Sequence, residues 1–323
     1  MAESYYICLD IGGTKILGAI FNMKKEIVYR LKKKTKADGD SVQNVEDTII
    51  SVVSEMVEGF GIKNSQIKAI AAGAPGVIDQ EKGIILTSPN LPWKNYDIKT
   101  PIEKKFGAPF FIGNDVNVGV LGEHRYGVAK GYKHVVGLFV GTGMGGGLIL
   151  DNKLYTGHLF KGAEFGHMIL IPDGPKCNCG QRGCLEALSS KQGISDFIRT
   201  QAARGRETMM ADAVAGGVFK SKLLKKSLAA KDTVTIEAVN RACYYLAIAS
   251  GNLVNTFSPE IVVYGGGVIE ACGDYFMEHI IKNVDRYCMP SIRETVKFEK
   301  AGLGDDSILY GALAMILDGS KKK

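Results

Sequence analysis

Short apolar runs alternate with glycine pairs at the start of the chain. Residues 5–10 (YYICLD) are strand formers, Gly12-Gly13 breaks the run, and residues 16–21 (ILGAIF) read as its hairpin partner. Residues 22–25 make the next turn, and residues 26–35 (EIVYRLKKKT) predict a third strand. Apolar positions then fall at helical spacing (Val42, Val45, Ile49, Val52, Val53, Met56, Val57, Phe60), with Gly59 and Gly61 marking the end of a helix. A short buried-looking strand at 67–73 follows, with Pro75-Gly76 behind it.

The same order returns further on. Residues 135–140 (VVGLFV) predict a strand, residues 141–147 (GTGMGGG) its turn, and residues 148–155 the strand that goes back. Later, EIVVYGGGVI (260–269) reads like KAIAAGAPGVI (68–78): a buried strand, then glycines, then Val-Ile. This near-repeat predicts two related α/β halves whose glycine turns face a cleft, the usual ligand site of α/β proteins. The expected domains are 1–116, completed by a helix-like stretch at 306–320, and 117–305, which carries a long insertion with the cysteines.

Composition fits this reading. The 323 residues are 46% hydrophobic and 23% charged, as in an ordinary soluble protein large enough for two domains. Net charge is +6, but the densest basic groups are Lys32-Lys33-Lys34 and Lys321-Lys322-Lys323, with no aromatic-interleaved stripe, so nucleic acid is not an expected partner. The N-terminus lacks a basic segment followed by an apolar one. The longest apolar stretch, 135–150, carries six glycines and is too short to span a bilayer comfortably. A cytoplasmic protein without membrane contact is expected.

In that compartment the seven cysteines do not suggest disulfides. Three of them crowd into KCNCGQRGCLEA (176–187), at Cys177, Cys179 and Cys184. Their count is odd, a Cys-x-Cys pair bridges poorly to itself, and no C-x-x-C redox motif is present, so a metal site is the leading reading. Cys8 and Cys243 lie in apolar runs and read as small core residues.

The glycine turns suggest phosphate chemistry. DIGGTK (10–15) and GTGMGGG each follow a strand, where glycine lets successive N–H groups converge on phosphate oxygens. Thr14 and Thr142 add hydroxyls, and Asp10 at the strand end suits a hydrated Mg²⁺. A single such turn would read as a plain hairpin; two at matching points favour a ligand. Gly141, Gly143 and Gly146 also fit the dinucleotide fingerprint, with Glu164 downstream, but strand residues follow where a helix should open. No Walker A pattern is present.

In FFIGNDVNVGVLGEHRYG (110–127), Asn114-Asp115 stands between a strand and a helix-like run. The pair reads as a helix N-cap, or Asp115 reads as a general base for phosphoryl transfer. Composition leaves both open.

Taken in order, DIGGTK, GNDVN, GTGMGGG, GAEFGHM (162–168) and CNCGQRGCLEA resemble the motifs of the ROK family (repressors, unknown open reading frames and sugar kinases), over essentially the whole chain. The resemblance implies an actin-like, hexokinase-like α/β fold of two ribonuclease-H-like domains, binding ATP with Mg²⁺ and a sugar. It implies a first phosphate loop at Asp10, Gly12, Gly13, Thr14 and Lys15, a second at Thr142 and Gly143, and an adenosine side at Gly265, Gly266 and Gly267. It makes Asp115 the catalytic base and Asn90, Asn114, Glu164, His167 and Glu186 the sugar contacts. His167, Cys177, Cys179 and Cys184 would hold a structural Zn²⁺; His158, a rival fourth ligand, lacks the Glu-x-Gly-His context. A closed Cys₃His set leaves no open position for chemistry. The histidine's second ring nitrogen would be oriented by the metal toward a sugar hydroxyl, and Glu186 would be pinned beside it. One departure stands out: the family often reads Leu-Pro-Gly-Trp after the asparagine, whereas Leu91-Pro92-Trp93 is one residue shorter.

The expected activity is phosphorylation of a hexose 6-hydroxyl by ATP, glucose foremost. Another hexose or an N-acetylhexosamine is the nearest alternative. A sugar-responsive regulator is the alternative of a different class, disfavoured because only nine residues precede Asp10. Family likeness suggests a homodimer or homotetramer.

Overall fold

The computed structural model describes residues 3–35, 42–88, 91 and 93–319. The chain begins with β1 (Tyr5–Ile11), β2 (Lys15–Phe21) and β3 (Ile27–Lys34), followed by helix α1 (Val42–Phe60) and β4 (Ile67–Ala74). Three short strands come next: β5 (Val77–Asp79), β6 (Ile84–Thr87) and β7 (Lys94–Asp97). Then come α2 (Lys99–Phe106), β8 (Phe110–Asn114) and α3 (Asp115–Tyr126). The next part holds β9 (Val135–Val140), β10 (Met144–Leu150), β11 (Lys153–Leu154), α4 (Leu185–Ser189), α5 (Lys191–Ala203), α6 (Ala211–Ala215), α7 (Ser221–Ala229) and α8 (Thr233–Phe257). It ends with β12 (Ile261–Gly265), α9 (Gly267–Val284), α10 (Pro290–Arg293) and β13 (Lys297–Lys300); α11 (Ser307–Gly319) follows. Contacts divide the chain into two compact units: residues 1–130 with 156–162 and 305–323, and residues 131–155 with 163–304.

Each unit is built on a five-stranded sheet, and the two sheets share one plan. The first runs β3-β2-β1-β4-β8 and the second β11-β10-β9-β12-β13. In both, the first three strands are antiparallel neighbours and the last two join in parallel. Strands β5, β6 and β7 make a separate antiparallel sheet.

Strand β1 shows why the first unit folds as it does. Tyr5, Ile7, Leu9 and Ile11 enter one core with Val45, Ile49, Val52, Val53 and Met56 of α1. Tyr6 and Cys8 enter another with Val118 of α3 and Leu309, Leu313 and Ile316 of α11. Period-2 alternation sends successive side chains to opposite faces, and here both faces are covered. Burying an isoleucine of this kind fully contributes roughly 1.5–3 kcal/mol. Helices α3 and α11 pack backbone to backbone through glycine: a Cβ on Gly122 would lie 2.0 Å from the Ser307 carbonyl oxygen, and one on Gly311 1.8 Å from that of Val118.

In the second unit Val136, Leu138 and Val140 of β9 and Val262 and Tyr264 of β12 form one core with α8 and α9. Asp232 caps α8 by accepting from the Thr235 amide at 2.8 Å.

Two local expectations give way to packing. The second glycine turn is shorter than its sequence suggests, because β10 starts at Met144 and Gly145, Gly146 and Gly147 pair with Phe139, Leu138 and Gly137. Glycine is required inside this strand: a Cβ at Gly146 would lie 2.4 Å from the Ala163 carbonyl oxygen and 2.5 Å from the Phe165 ring. The parallel between 68–78 and 260–269 also breaks at its end. Val77-Ile78 belongs to a strand, whereas Val268-Ile269 lies in the first turn of α9.

Candidate functional site

The parallel strands of the first sheet place their carboxyl ends side by side. Asp10 of β1 pairs with Gly73 of β4, Gly73 with Gly113 of β8, and Ala74 with Asn114. Asn114 and Asp115 therefore leave the sheet two strands from Asp10, with β4 between. Gly73 leaves room for close packing there, since a Cβ would lie 2.5 Å from Ile308 Cγ2 and 3.3 Å from Asp115 Cα. Burial raises the Asp10 pKa to about 7, the neighbouring Asp115 adds to the rise, and Lys15 partly offsets it. Two carboxylates thus share one strand-end row, close enough for Asp115 to act on Asp10.

The first glycine turn follows directly. The Gly12 amide donates to the Lys15 carbonyl at 2.9 Å. Thr35 holds the turn from outside, its hydroxyl donating to the Gly12 carbonyl at 2.7 Å and its amide to that of Thr14 at 3.0 Å. Gly13 and Thr14 lie within this turn and Lys15 opens β2.

Asn114 does the capping that its position predicts. Its Oδ1 accepts from the Asn117 amide at 3.1 Å, and its Nδ2 donates to the Gly76 carbonyl at 3.1 Å. Asp115, the first residue of α3, accepts the Val116 amide on Oδ1 at 2.9 Å. Gly76, with φ of 114°, is irreplaceable, because a Cβ would lie 2.1 Å from the Thr87 carbonyl oxygen. Asn90 lies outside the described residues. After it, Leu91 and Trp93 are buried in the core, and Trp93 stacks on Tyr96 with ring centroids 6.2 Å apart.

In the second unit, the turn between β9 and β10 comprises Gly141, Thr142 and Gly143, closed by the Gly141 amide donating to the Gly143 carbonyl at 2.9 Å. The amides of Lys191 and Gln192 donate to the carbonyls of Gly141 and Thr142 at 3.0 and 3.2 Å. The Met144 amide donates to Glu186 Oε2 at 2.8 Å. Beside this turn, Gly265 ends β12 and pairs with Phe139, and Gly266 (φ 85°) precedes α9, which Gly267 opens. A Cβ on Gly266 would lie 2.6 Å from the Val140 carbonyl oxygen, so glycine brings the α9 N-terminus against the end of β9. Next to that N-terminus, α7, α9 and the end of β13 line an open pocket of about 340 Å³, with Lys225, Leu228, Ile269, Glu270, Gly273 and Lys300 in its walls.

His167, Cys177, Cys179 and Cys184 converge, with one ligand atom of each within 4.8 Å of all the others. Cys177 Sγ lies 3.7 Å from His167 Nδ1, and Cys179 Sγ 3.7 Å from Cys184 Sγ. A tetrahedral zinc with Zn–S of 2.3 Å separates its sulfurs by about 3.8 Å, so both donor set and spacing fit. His158 is not in the group. The two glycines of the motif shape the loop: Gly180 and Gly183 have φ of 95° and 75°, and a Cβ on Gly183 would lie 1.7 Å from the Ile171 carbonyl oxygen. Glu164 and Glu186 gather at the same place. Partial burial raises the Glu164 pKa, His167 opposes the rise, and Glu186 adds to it.

The sequence did not announce the contribution of Gly73, Gly76, Thr35, Lys191 and Gln192. Gly73 and Gly76 act by what they leave out, and the backbone amides of residues 191 and 192 carry no side-chain signature.

The chain belongs to the ROK family, whose model matches residues 6–319. It is similar to the glucokinase of Halalkalibacterium halodurans, 32% identical over 96% of this chain and 94% of that one. The glucokinase of Thermotoga maritima is likewise 32% identical, over 98% of each chain. A crystal structure of a ROK family glucokinase from Streptomyces griseus, in complex with glucose and AMPPNP, has 28% identity and a TM-score of 0.83 over 97% of this chain and 99% of that one. The fold is the two-domain, actin-like and hexokinase-like α/β fold. Among the described residues no helix is long and apolar enough to cross a membrane.

Proposed function

We propose that this protein is an ATP-dependent glucose kinase that transfers the γ-phosphoryl group to the sugar 6-hydroxyl. The observation that carries the reading is that Asp10 and Asp115 share the strand-end row of the first sheet, electrostatically coupled and beside a glycine turn. Phosphoryl transfer needs a carboxylate for the metal-bound phosphate, a second to take the nucleophile's proton, and amide donors for the phosphates. The glucokinase relatives, and the glucose and AMPPNP bound by one of them, support sugar and nucleotide alike.

Asp115 is assigned as the base that accepts the 6-hydroxyl proton as that oxygen attacks phosphorus in line. Asp10 would hold Mg²⁺, which when bound would neutralise charge on the phosphates. The turns at 12–15 and 142–143 receive the phosphates, and Gly265, Gly266 and Gly267 lead to the adenosine side, where the cavity lined by Ile269 and Gly273 suits a purine. Asn90, Asn114, Glu164, His167 and Glu186 are assigned to sugar hydroxyls. For Asn114 this means sharing: its Oδ1 already accepts two hydrogen bonds from Asn117 and one N–H holds the Gly76 carbonyl, so a sugar would take the second N–H.

His167, Cys177, Cys179 and Cys184 would hold zinc as a closed structural site. Ligation through Nδ1, the atom nearest Cys177, leaves the histidine's Nε2 for a hydroxyl. Seven free thiols and ATP use suit the cytoplasm.

The test is a coupled ADP-release screen over hexoses and N-acetylhexosamines. Glucose should give the highest kcat/KM. A higher value for an N-acetylhexosamine would move the assignment to that sugar, and no turnover on any sugar would overturn it.

A further inference from the structure

The segment that carries the third cysteine also holds the second glycine turn. Cys184 precedes α4, Glu186 lies in its first turn, and Ser190 caps α5 by accepting the Gly193 amide at 3.2 Å. The next two amides, of Lys191 and Gln192, hold the carbonyls of Gly141 and Thr142. Glu186 completes the hold with a split carboxylate: Oε2 accepts the Met144 amide at 2.8 Å, and Oε1 accepts the Cys177 thiol at 3.3 Å. One side chain therefore touches both the first amide after the turn and a member of the cysteine cluster. Gly143 makes room for it, since a Cβ there would lie 2.5 Å from Oε2.

We infer that Glu186 is a positioning residue for the nucleotide's phosphates, holding the turn Gly141–Gly143 through the Met144 amide from the segment that carries Cys184. The inference rests on the proposed reading of that turn as a phosphate site, and goes beyond the sugar contact assigned to Glu186. A turn with glycine at two of three positions has much conformational freedom to lose on binding an anion. Fixing it beforehand removes that cost. A cysteine thiolate, the form that binds metal, cannot donate, so in the metal-loaded protein the Met144 contact is the one that holds Glu186 to the turn.

The experiment titrates ADP into metal-loaded protein by calorimetry with no sugar present, alongside a metal assay of each variant. Glu186→Ala should bind ADP roughly tenfold more weakly, the scale of one hydrogen bond to a charged group. Glu186→Gln, whose amide oxygen still accepts from Met144, should bind within about threefold of wild type while its affinity for glucose falls. Glu186→Asp, with the charge but not the reach, should resemble the alanine variant and serves if that variant loses its metal. Wild-type ADP affinity in both shortened variants, or equal weakening in Glu186→Gln and Glu186→Ala, overturns the inference. Failure of the wild type itself to bind ADP would overturn the phosphate reading and this inference with it.

Discussion

Asp115 stands close enough to Asp10 for its charge to help hold a proton on Asp10 near neutral pH. The folded-state pKa of about 7 lies above the ordinary value of 3.8, so the native state binds the proton more tightly than the unfolded chain. Stability from this group is therefore lost as pH rises from about 4 to about 7. Asp10→Asn removes the buried charge and should stabilise the ligand-free protein at pH 8 by up to about 4 kcal/mol, with little effect at pH 4. Denaturant midpoints at the two pH values check this. Parallel pH profiles for variant and wild type would refute it. The same variant should lose turnover, and wild-type activity below pH 7 should need more Mg²⁺.

Asp115→Asn tests the base. The amide oxygen can still accept the Val116 amide that Asp115 now holds, so the start of α3 should survive. Loss of a general base lowers kcat by about 10²–10⁴. Steady-state kinetics should show that loss with KM for glucose changed only a few-fold. A kcat within threefold of wild type would remove Asp115 from the role.

The Cys/His cluster should carry about one zinc per chain, measurable by elemental analysis. Cys184 is fully buried, and its replacement by serine puts a poorer ligand at a site built for sulfur. Cys184→Ser should lose the metal, lower the thermal midpoint and weaken glucose binding. A metal-free preparation with full activity and unchanged melting would count against any zinc role.

Gly143→Ala pushes a methyl group against Glu186 Oε2, 2.5 Å away. KM for ATP should rise roughly tenfold through loss of the Met144 hydrogen bond, with metal content unchanged. An unchanged KM would show that the carboxylate can move aside without consequence.

Two glycines separate close packing from backbone conformation. Gly311→Ala would set a Cβ 1.8 Å from the Val118 carbonyl oxygen and force α3 and α11 apart. A cost of about 3 kcal/mol is expected, at the upper end for overpacking. Gly107→Ala meets nothing within 4 Å, and its φ of 67° should cost only about 1–2 kcal/mol. Thermal unfolding of the pair should show the larger drop for Gly311→Ala.

Much of this architecture could be read from the residues, for physical reasons that also mark the limits. β1 was legible because YYICLDI consists of strand formers and ends at glycines. The cysteines of the cluster were legible because three thiols crowd into one short stretch, whereas His167, ten residues upstream, came with the family resemblance. The end of the second glycine turn was not, because Gly145, Gly146 and Gly147 look like loop until Phe165 and Ala163 press on them. Val77-Ile78 and Val268-Ile269 share their letters, yet β6 pairs with the first while the second opens a helix. The contribution of Gly73 was invisible for a simpler reason: it consists of an absent side chain opposite Asp115.

The packing of α11 on β1, β4 and α3 sets an order of events at the ribosome. Residues 163–304 are continuous in sequence and, with 131–155, can complete their unit as soon as they emerge. The first unit cannot. Tyr6, Cys8 and Ala19, made at the outset, share their core with Leu309, Leu313 and Ile316, made some three hundred residues later. The part of that face which α3 does not cover therefore stays bare through most of translation, and the part of the chain synthesised first is the part that finishes folding last.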